Sequence, residues 1–358
     1  MKRHRTFTLI AFADSHFSVY TIFLKSWLFL SAVILTIPVI QGCDKHMHPQ
    51  DGDFTEEEIQ SSVKIAVRNA EQTRIRTLDA FVFNDDAMRR IDCYQRYGQV
   101  TEEEILIGSC TGGKIILLCA NCPWEDVGWE DVQSFRRASS LKVDLEDEDR
   151  DWPVMSTQVC LRAGSDTAGI CLERLTSEIE LRSVRCDFTG KPYEGESITD
   201  VRIYLTNVNA TCSILPDDRY PVERIINHKS LIPDDTVKFK DKRQIINYLE
   251  TIGSSVTYPG IRLLCYPNMS REETIGTPFT RLVIEGKIQG ETWYWPMNIN
   301  RNCGSDHEGI GRNRRYVHDI TIRSRGTKDP DVPIVPEMAE TIFTTEKWKE
   351  KEPYHVSF

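Results

Sequence analysis

From residue 60 onward the chain is a succession of short apolar or alternating runs broken by turn residues, a rhythm that points to β-structure. Strands are predicted over 62–69, 74–84, 89–97, 104–109, 114–121, 155–162, 170–187, 198–208, 211–215, 260–266, 278–287, 291–299, 316–323 and 341–344. The run from Thr73 to Phe83 begins by alternating, with Ile75 on one face and Arg74 and Arg76 on the other. It ends apolar on both faces, as a central strand does. Asn84-Asp85-Asp86 turns it into a hairpin, and 278–287 with 291–299 make a second one around Gly290. Two stretches break the period. Trp129, Val132 and Phe135 form one stripe of a short helix within 126–139, and a second helix is expected over 242–251. So many strands with two short helices argue for a mainly β chain of tandem β-sandwiches, 61–169 and 170–358, with the boundary near Gly169.

The first 42 residues say where such a chain goes. Lys2, Arg3, Arg5 and Lys25 precede fourteen uncharged residues, Trp27 to Ile40. As helix these span about 21 Å, short of the roughly 30 Å hydrocarbon core, so they suit a cleaved export signal better than a permanent span. Ile40-Gln41-Gly42-Cys43 resembles a bacterial lipobox, in which signal peptidase II cuts between Gly42 and a diacylglyceryl-modified Cys43. The other reading is a retained amphiphilic anchor with a chance cysteine. Several acyl chains on Cys43, at about 0.8 kcal/mol per buried CH₂, would hold the protein to a membrane. Residues 43–60, with Asp44, Asp51, Asp53 and Glu56-Glu57-Glu58, read as an acidic solvated tether, of the kind some surface-exported outer-membrane lipoproteins carry.

Charge narrows the partners. Residues 43–358 hold 40 basic and 53 acidic side chains and show no basic stripe, which argues strongly against nucleic-acid binding. Ten cysteines besides Cys43 lack regular spacing, and most suit core packing. Cys119-Ala-Asn-Cys122 lacks the second pair that a zinc ribbon needs and is followed at once by Pro123, so a local disulfide or two unrelated thiols fit better than metal or redox chemistry. The acidic run 145–151 has neither the glycine nor the closing glutamate of a calcium loop and reads as solvated. No metal or cofactor is expected. No G-x-S-x-G, H-E-x-x-H, P-loop or G-x-G-x-x-G occurs, and the eight histidines are scattered, so the chain reads as a non-enzyme.

Several segments then resemble the fimbrillin superfamily of pilus subunits and their lipid-anchored accessory proteins. They are Thr77–Asn84 with Tyr94-Gln95-Arg96; 114–121 followed by Pro123; Pro153–Ser156; and Leu172–Leu181. Later in the chain come Leu282–Gly286, Trp295–Ile299, Arg312-Asn313 with Tyr316, and Gly326–Asp331. Thr157 replaces a usual glycine and Glu178 a usual lysine. The resemblance implies two transthyretin-like β-sandwich domains and a role in building or tethering fimbriae at the outer membrane. It also implies partners that are other fimbrial subunits joined by strand exchange. In that family a protease cuts after an arginine and frees an N-terminal strand, here 62–69, with Arg68, Arg74 or Arg76 as the cut. A neighbour's C-terminal strand then fills the groove by β-augmentation. Ile342, Phe343, Trp348, Val356 and Phe358 could supply that donor strand, or 341–344 could simply close its own sheet. The rival reading is a surface lipoprotein that binds glycans or host proteins through Trp293, Tyr294 and Trp295 or the Trp124–Trp129 loop. At strand period Trp293 and Trp295 share a face, more often core than platform.

Overall fold

The computed structural model describes residues 62–69, 75–100, 104–108, 112–124, 131–162, 167–215, 222–301, 308–335 and 338–347. Nearly all regular structure in them is strand. One seven-stranded sheet holds, in spatial order, β3 (Ile91–Val100), β2 (Ile75–Asn84), β5 (Lys114–Ala120), β7 (Met155–Leu161), β8 (Thr167–Arg174), β1 (Ser62–Asn69) and β4 (Glu104–Gly108). Two four-stranded sheets follow. The first is β14 (Ile246–Ile252), β10 (Ile198–Thr206), β16 (Arg281–Ile288) and β17 (Glu291–Asn298). The second is β15 (Ile261–Cys265), β9 (Ser177–Cys186), β18 (Arg314–Ile322) and β19 (Ala339–Lys347). Two small ribbons complete the set: β11 (Val208–Asn209) with β13 (Ile225–Ile226), and β12 (Thr211–Ser213) with β6 (Lys142–Asp144).

β2 and β5 are apolar on both faces because both faces are buried. Leu78, Ala80 and Val82 join Ile116, Leu118, Met155 and Leu172 on one side. Phe81, Phe83, Ile115 and Leu117 look the other way, into a larger cluster that runs on through Leu181, Tyr204, Leu263, Ile284 and Trp295 to Ala339. The sheet before Gly169 and those after it therefore share apolar contacts. Gly169 itself lies inside β8.

Local chemistry accounts for the turns. In the β16–β17 hairpin Ile288 pairs with Glu291, and Gln289 and Gly290 both adopt positive φ (53° and 82°), the two-residue turn whose twist suits adjoining strands. The expected strand 170–187 is two strands, because the chain changes sheets at Leu175 and Thr176. There the Leu175 amide donates to the Val154 carbonyl (3.0 Å) and the Asn313 amide to the Thr176 carbonyl (3.1 Å). The helix expected over 242–251 is also corrected. A single 3-10 turn, Lys242–Gln244, is capped by Asp241 and then gives way to β14. Ile246, Leu249 and Ile252 fall at helical spacing, but Ile, Tyr and Thr favour strands, and β10 offers an edge to pair with. Of the helix expected within 126–139 only α1 (Phe135–Ser139) forms among the described residues, capped by the Ser134 hydroxyl accepting from the Arg137 amide. A second short helix, α2 (Pro233–Thr236), starts at a proline.

Candidate strand-exchange site

The N-terminal strand occupies an internal slot. β1 runs parallel to β8, from Lys64 opposite Thr167 to Asn69 opposite Leu172, and antiparallel to β4, from Ser62 opposite Gly108 to Ala66 opposite Glu104. Both its edges are paired, so withdrawing it would expose unpaired N–H and C=O groups on β8 and β4. Arg68 lies within this doubly paired strand, opposite Cys171. Arg76 lies in β2. Its amide donates to the Asn121 carboxamide oxygen (2.8 Å), and its guanidinium sits 4.6 Å from the Trp152 ring centroid. Arg74 falls in the β1–β2 connection and, with Gly42 and Cys43, lies outside the described residues.

At the other end of the chain β19 closes its own sheet as an edge strand, antiparallel to β18. Alternation puts Ile342 on the exposed face and Phe343 on the inner one, where its ring stacks on Tyr316 at 5.9 Å and tilts against His318 at 5.1 Å. Trp348, Val356 and Phe358 lie outside the described residues.

Under β19 is a cavity of about 720 Å³. Met297 and Asn298 of β17 line it, with Asn300, Arg301, His318, residues 333–335, Ala339, Glu340, Thr341 and Phe343. His318 is only 2% exposed, and neither ring nitrogen has a hydrogen-bond partner. Burial pushes its imidazole down to about 4, with only Asp319 opposing. The Asn298 carboxamide oxygen is likewise buried and unpartnered. The scattered histidines of the sequence gave no sign of this pairing, which depends on the register that sets His318 opposite Phe343.

The segments that carry the resemblance form the joints of the fold. Asp79, buried in β2, accepts from the Tyr94 hydroxyl (2.7 Å) and lies 3.6 Å from the Arg96 guanidinium. Desolvation raises its carboxyl despite both partners. The Asn121 side chain also donates to the Pro153 carbonyl (3.1 Å), tying the end of β5 to the approach to β7. Arg312 reaches from the turn before β18 to the Arg174 (3.2 Å), Glu173 and Ser156 (2.9 Å) carbonyls of β7 and β8. Glu178, at the position where lysine is usual, is buried between Arg315 (3.2 Å) and Arg262 (3.5 Å). Gly326 is required by close approach, since a Cβ there would meet the Tyr294 carbonyl oxygen at 1.9 Å.

One expectation changes on contact with the structure, and two open readings narrow. The run 145–151 is not simply solvated. Glu148 is buried, its carboxylate accepting from the Val154 amide (3.1 Å) and the Tyr266 hydroxyl (3.0 Å), and desolvation pushes it up to about 7. Burying one carboxylate lets the exposed loop around it dock on the core. The aromatic platform is not open either. Trp295 is fully buried, with its indole N–H donating to the Ser324 carbonyl (3.0 Å), and Trp293 lies under Lys328 (3.5 Å) and Arg325 (5.4 Å). Trp124 is half-buried against the core, and Trp129 lies outside the described residues. Of the two readings left for Cys119 and Cys122, the structure has free buried thiols in hydrogen-bond contact, and burial, with Cys119 beside it, raises the Cys122 thiol well above its ordinary value.

No family model matches the chain, and no curated protein does. Solved structures do. Against a proposed cell adhesion protein from Parabacteroides distasonis the TM-score is 0.60 at 15% identity, covering 82% of this chain and 98% of the other. A fimbrilin (FimA) from Porphyromonas gingivalis superposes with a TM-score of 0.58 at 13% identity, over 82% of this chain and 99% of that one. The tip fimbrial protein Mfa3 of the same species, truncated at its C-terminus, gives 0.50 at 11% identity, over 80% and 100%. The chain thus has the fold of fimbrial and adhesion proteins, in agreement with the fimbrillin resemblance of its sequence. None of these neighbours is described as an enzyme.

Proposed function

We propose that this protein is a fimbrial subunit or accessory protein, exported as a lipoprotein, held to the outer membrane through acylated Cys43, and joined to other fimbrial subunits by strand exchange. The observation that carries the reading is the position of β1, seated between β8 and β4 and joined to β2 only through residues 70–74. A cut there would turn an intramolecular strand into an exchangeable one without touching the core of β2 and β5. Arg74 is the cut we favour, since Arg68 and Arg76 lie inside paired strands, where the backbone is held against a protease. The donor would come from the β19 edge and the tail through Trp348, Val356 and Phe358, and whole subunits, each of two β-sandwich domains meeting near β8, would be the units so joined.

Mass spectrometry of the protein from outer membranes tests this. An N-terminus at acylated Cys43 makes it an anchor, and one just after Arg74 makes it a stalk subunit. A protein recovered from the cytosol with its first 42 residues intact refutes the reading. Cys43→Ser should abolish membrane retention; unchanged fractionation would remove the lipid from the account.

A further inference from the structure

Among the described residues Lys114 is the one lysine taken out of water, its side chain only 4% exposed. β5 sets it between Asn84 of β2 and Leu161 of β7, its partners in register. Its Nζ donates to the Asn84 carboxamide oxygen (2.6 Å) and lies 2.9 Å from Asp92 Oδ2. Three neighbouring strands deliver these groups. Asn84 and Lys114 form the last cross-strand pair of β2 and β5. On the other side of β2, Val82 faces Cys93 and Phe83 faces Ile91, so Asp92 is the extra residue of a bulge. Bulges re-aim a side chain, and this one turns the Asp92 carboxylate towards Lys114. Asp92 Oδ2 is itself buried and makes no hydrogen bond, because the Nζ hydrogen bond goes to Asn84. An ion pair alone accounts poorly for this burial, since one carboxylate seldom repays the desolvation of an ammonium.

The arrangement holds a nucleophile, an electrophile and a proton acceptor in mutual reach. We propose that Lys114 and Asn84 become joined by an isopeptide bond, which the folded protein forms on itself with Asp92 as the proton carrier. Asp92 takes a proton from the Lys114 ammonium, and the neutral amine attacks the Asn84 carboxamide carbon. The Nζ–C bond forms and the bond from that carbon to Nδ2 breaks. The two protons that Nζ gives up pass through Asp92 to the departing nitrogen, which leaves as ammonium, so no oxidant or cofactor is needed. Fixing the amine against one carboxamide replaces a bimolecular encounter, an advantage of about 10⁵–10⁸ M in well-aligned intramolecular reactions. The bond would close a loop over 85–113, which contains β3 and β4. Tension along the chain would then cross from β2 to β5 through covalent bonds and leave β3 and β4 unloaded. The inference stands apart from anchoring and strand exchange, and loss of either would leave the three groups in place.

The test is a peptide map of the full chain, taken from the cells that make it, denatured and cut with trypsin. The expected map loses the cut after Lys114 and holds one branched species, residues 77–89 joined to 97–136. That species should be lighter than the two peptides together by one ammonia, and fragmentation should place the branch between Asn84 and Lys114. Asp92→Ala should restore the cut after Lys114, while near-ultraviolet circular dichroism shows the variant folded. Should Asp92→Ala not fold, Asp92→Asn, which keeps the shape of the side chain, takes its place. If trypsin cuts after Lys114 in most wild-type chains, the three groups are an ion pair with a hydrogen bond and the inference fails. A species lighter by one water, joining Lys114 to residues 91–96, would overturn it equally, since Asp92 would then be the group attacked. A branch that persists in the folded Asp92 variant would remove the carboxylate from the reaction.

Discussion

Glu148 and His318 are buried titratable groups whose contributions to stability run in opposite directions with pH, which makes a demanding prediction. Burial raises the Glu148 carboxyl from 4.5 to about 7, so the folded protein holds a proton there that the unfolded chain releases. Stability from this group is full below 4.5 and falls as pH rises towards 7, by about 3 kcal/mol in total. Burial lowers the His318 imidazole from 6.5 to about 4, so between those values the unfolded chain binds the extra proton. Its contribution is full above 6.5 and is lost as pH falls towards 4, again by about 3 kcal/mol. Between 4.5 and 6.5 the two slopes oppose each other, and the wild-type profile should be nearly flat in their joint contribution. Glu148→Gln keeps an oxygen for the Val154 amide and sets its NH2 to donate to the Tyr266 hydroxyl oxygen, while removing the titratable proton. It should leave stability rising with pH by about 2 kcal/mol across that window. His318→Phe should leave it falling by a similar amount, and the double variant should restore the flat profile. Urea unfolding at closely spaced pH values, read by tryptophan fluorescence, measures all four. If Glu148→Gln parallels the wild type throughout, the carboxyl is not proton-bearing in the folded state and the account of that site is wrong.

Arg312→Ala removes the guanidinium that bridges three carbonyls of β7 and β8, and should cost about 3 kcal/mol in urea unfolding. A cost under about 0.5 kcal/mol would deny it any joining role. Gly326→Ala forces a Cβ against the Tyr294 carbonyl and should cost at least about 3 kcal/mol or abolish soluble expression, whereas Gly98→Ala, with nothing within 4 Å, should stay within about 0.5 kcal/mol. Thermal melts of the two variants side by side check this. Lysine in place of Arg74 should preserve processing by a protease that accepts both basic residues, and Arg74→Ala should block it, visible as a mass difference on gels of outer-membrane protein.

What was legible in the sequence was mostly what depends on period. The doubly apolar half of β2, the Gly290 hairpin and the bounds of β1 follow from alternation and turn chemistry, and all three appear in the structure. Period failed where two periods coincide. Ile246, Leu249 and Ile252 fit a helical stripe, while the Ile, Tyr and Thr residues around them fit a strand, and the edge of β10 decided between the two. Continuity misled over 170–187, because a run of apolar residues does not reveal that its two halves serve different sheets. The cavity was out of reach for a different reason. Asn298 of β17 and His318 of β18 belong to different sheets, and only tertiary packing brings them to line one space. Glu148 was hidden by its neighbours, since one buried carboxylate among exposed ones looks like any other acid in a string.

The slot that holds β1 has one further property. Its two walls, β8 and β4, run in opposite senses, so a replacement segment meets one wall of each kind whichever way it enters. Main-chain bonding therefore carries no preference for polarity. The direction and phase of an incoming segment must be written in its side chains, and a single-residue slip would turn its apolar set outward. Fidelity in building a polymer from such units would then rest on the spelling of the tail, and a few altered letters there could change which unit follows which.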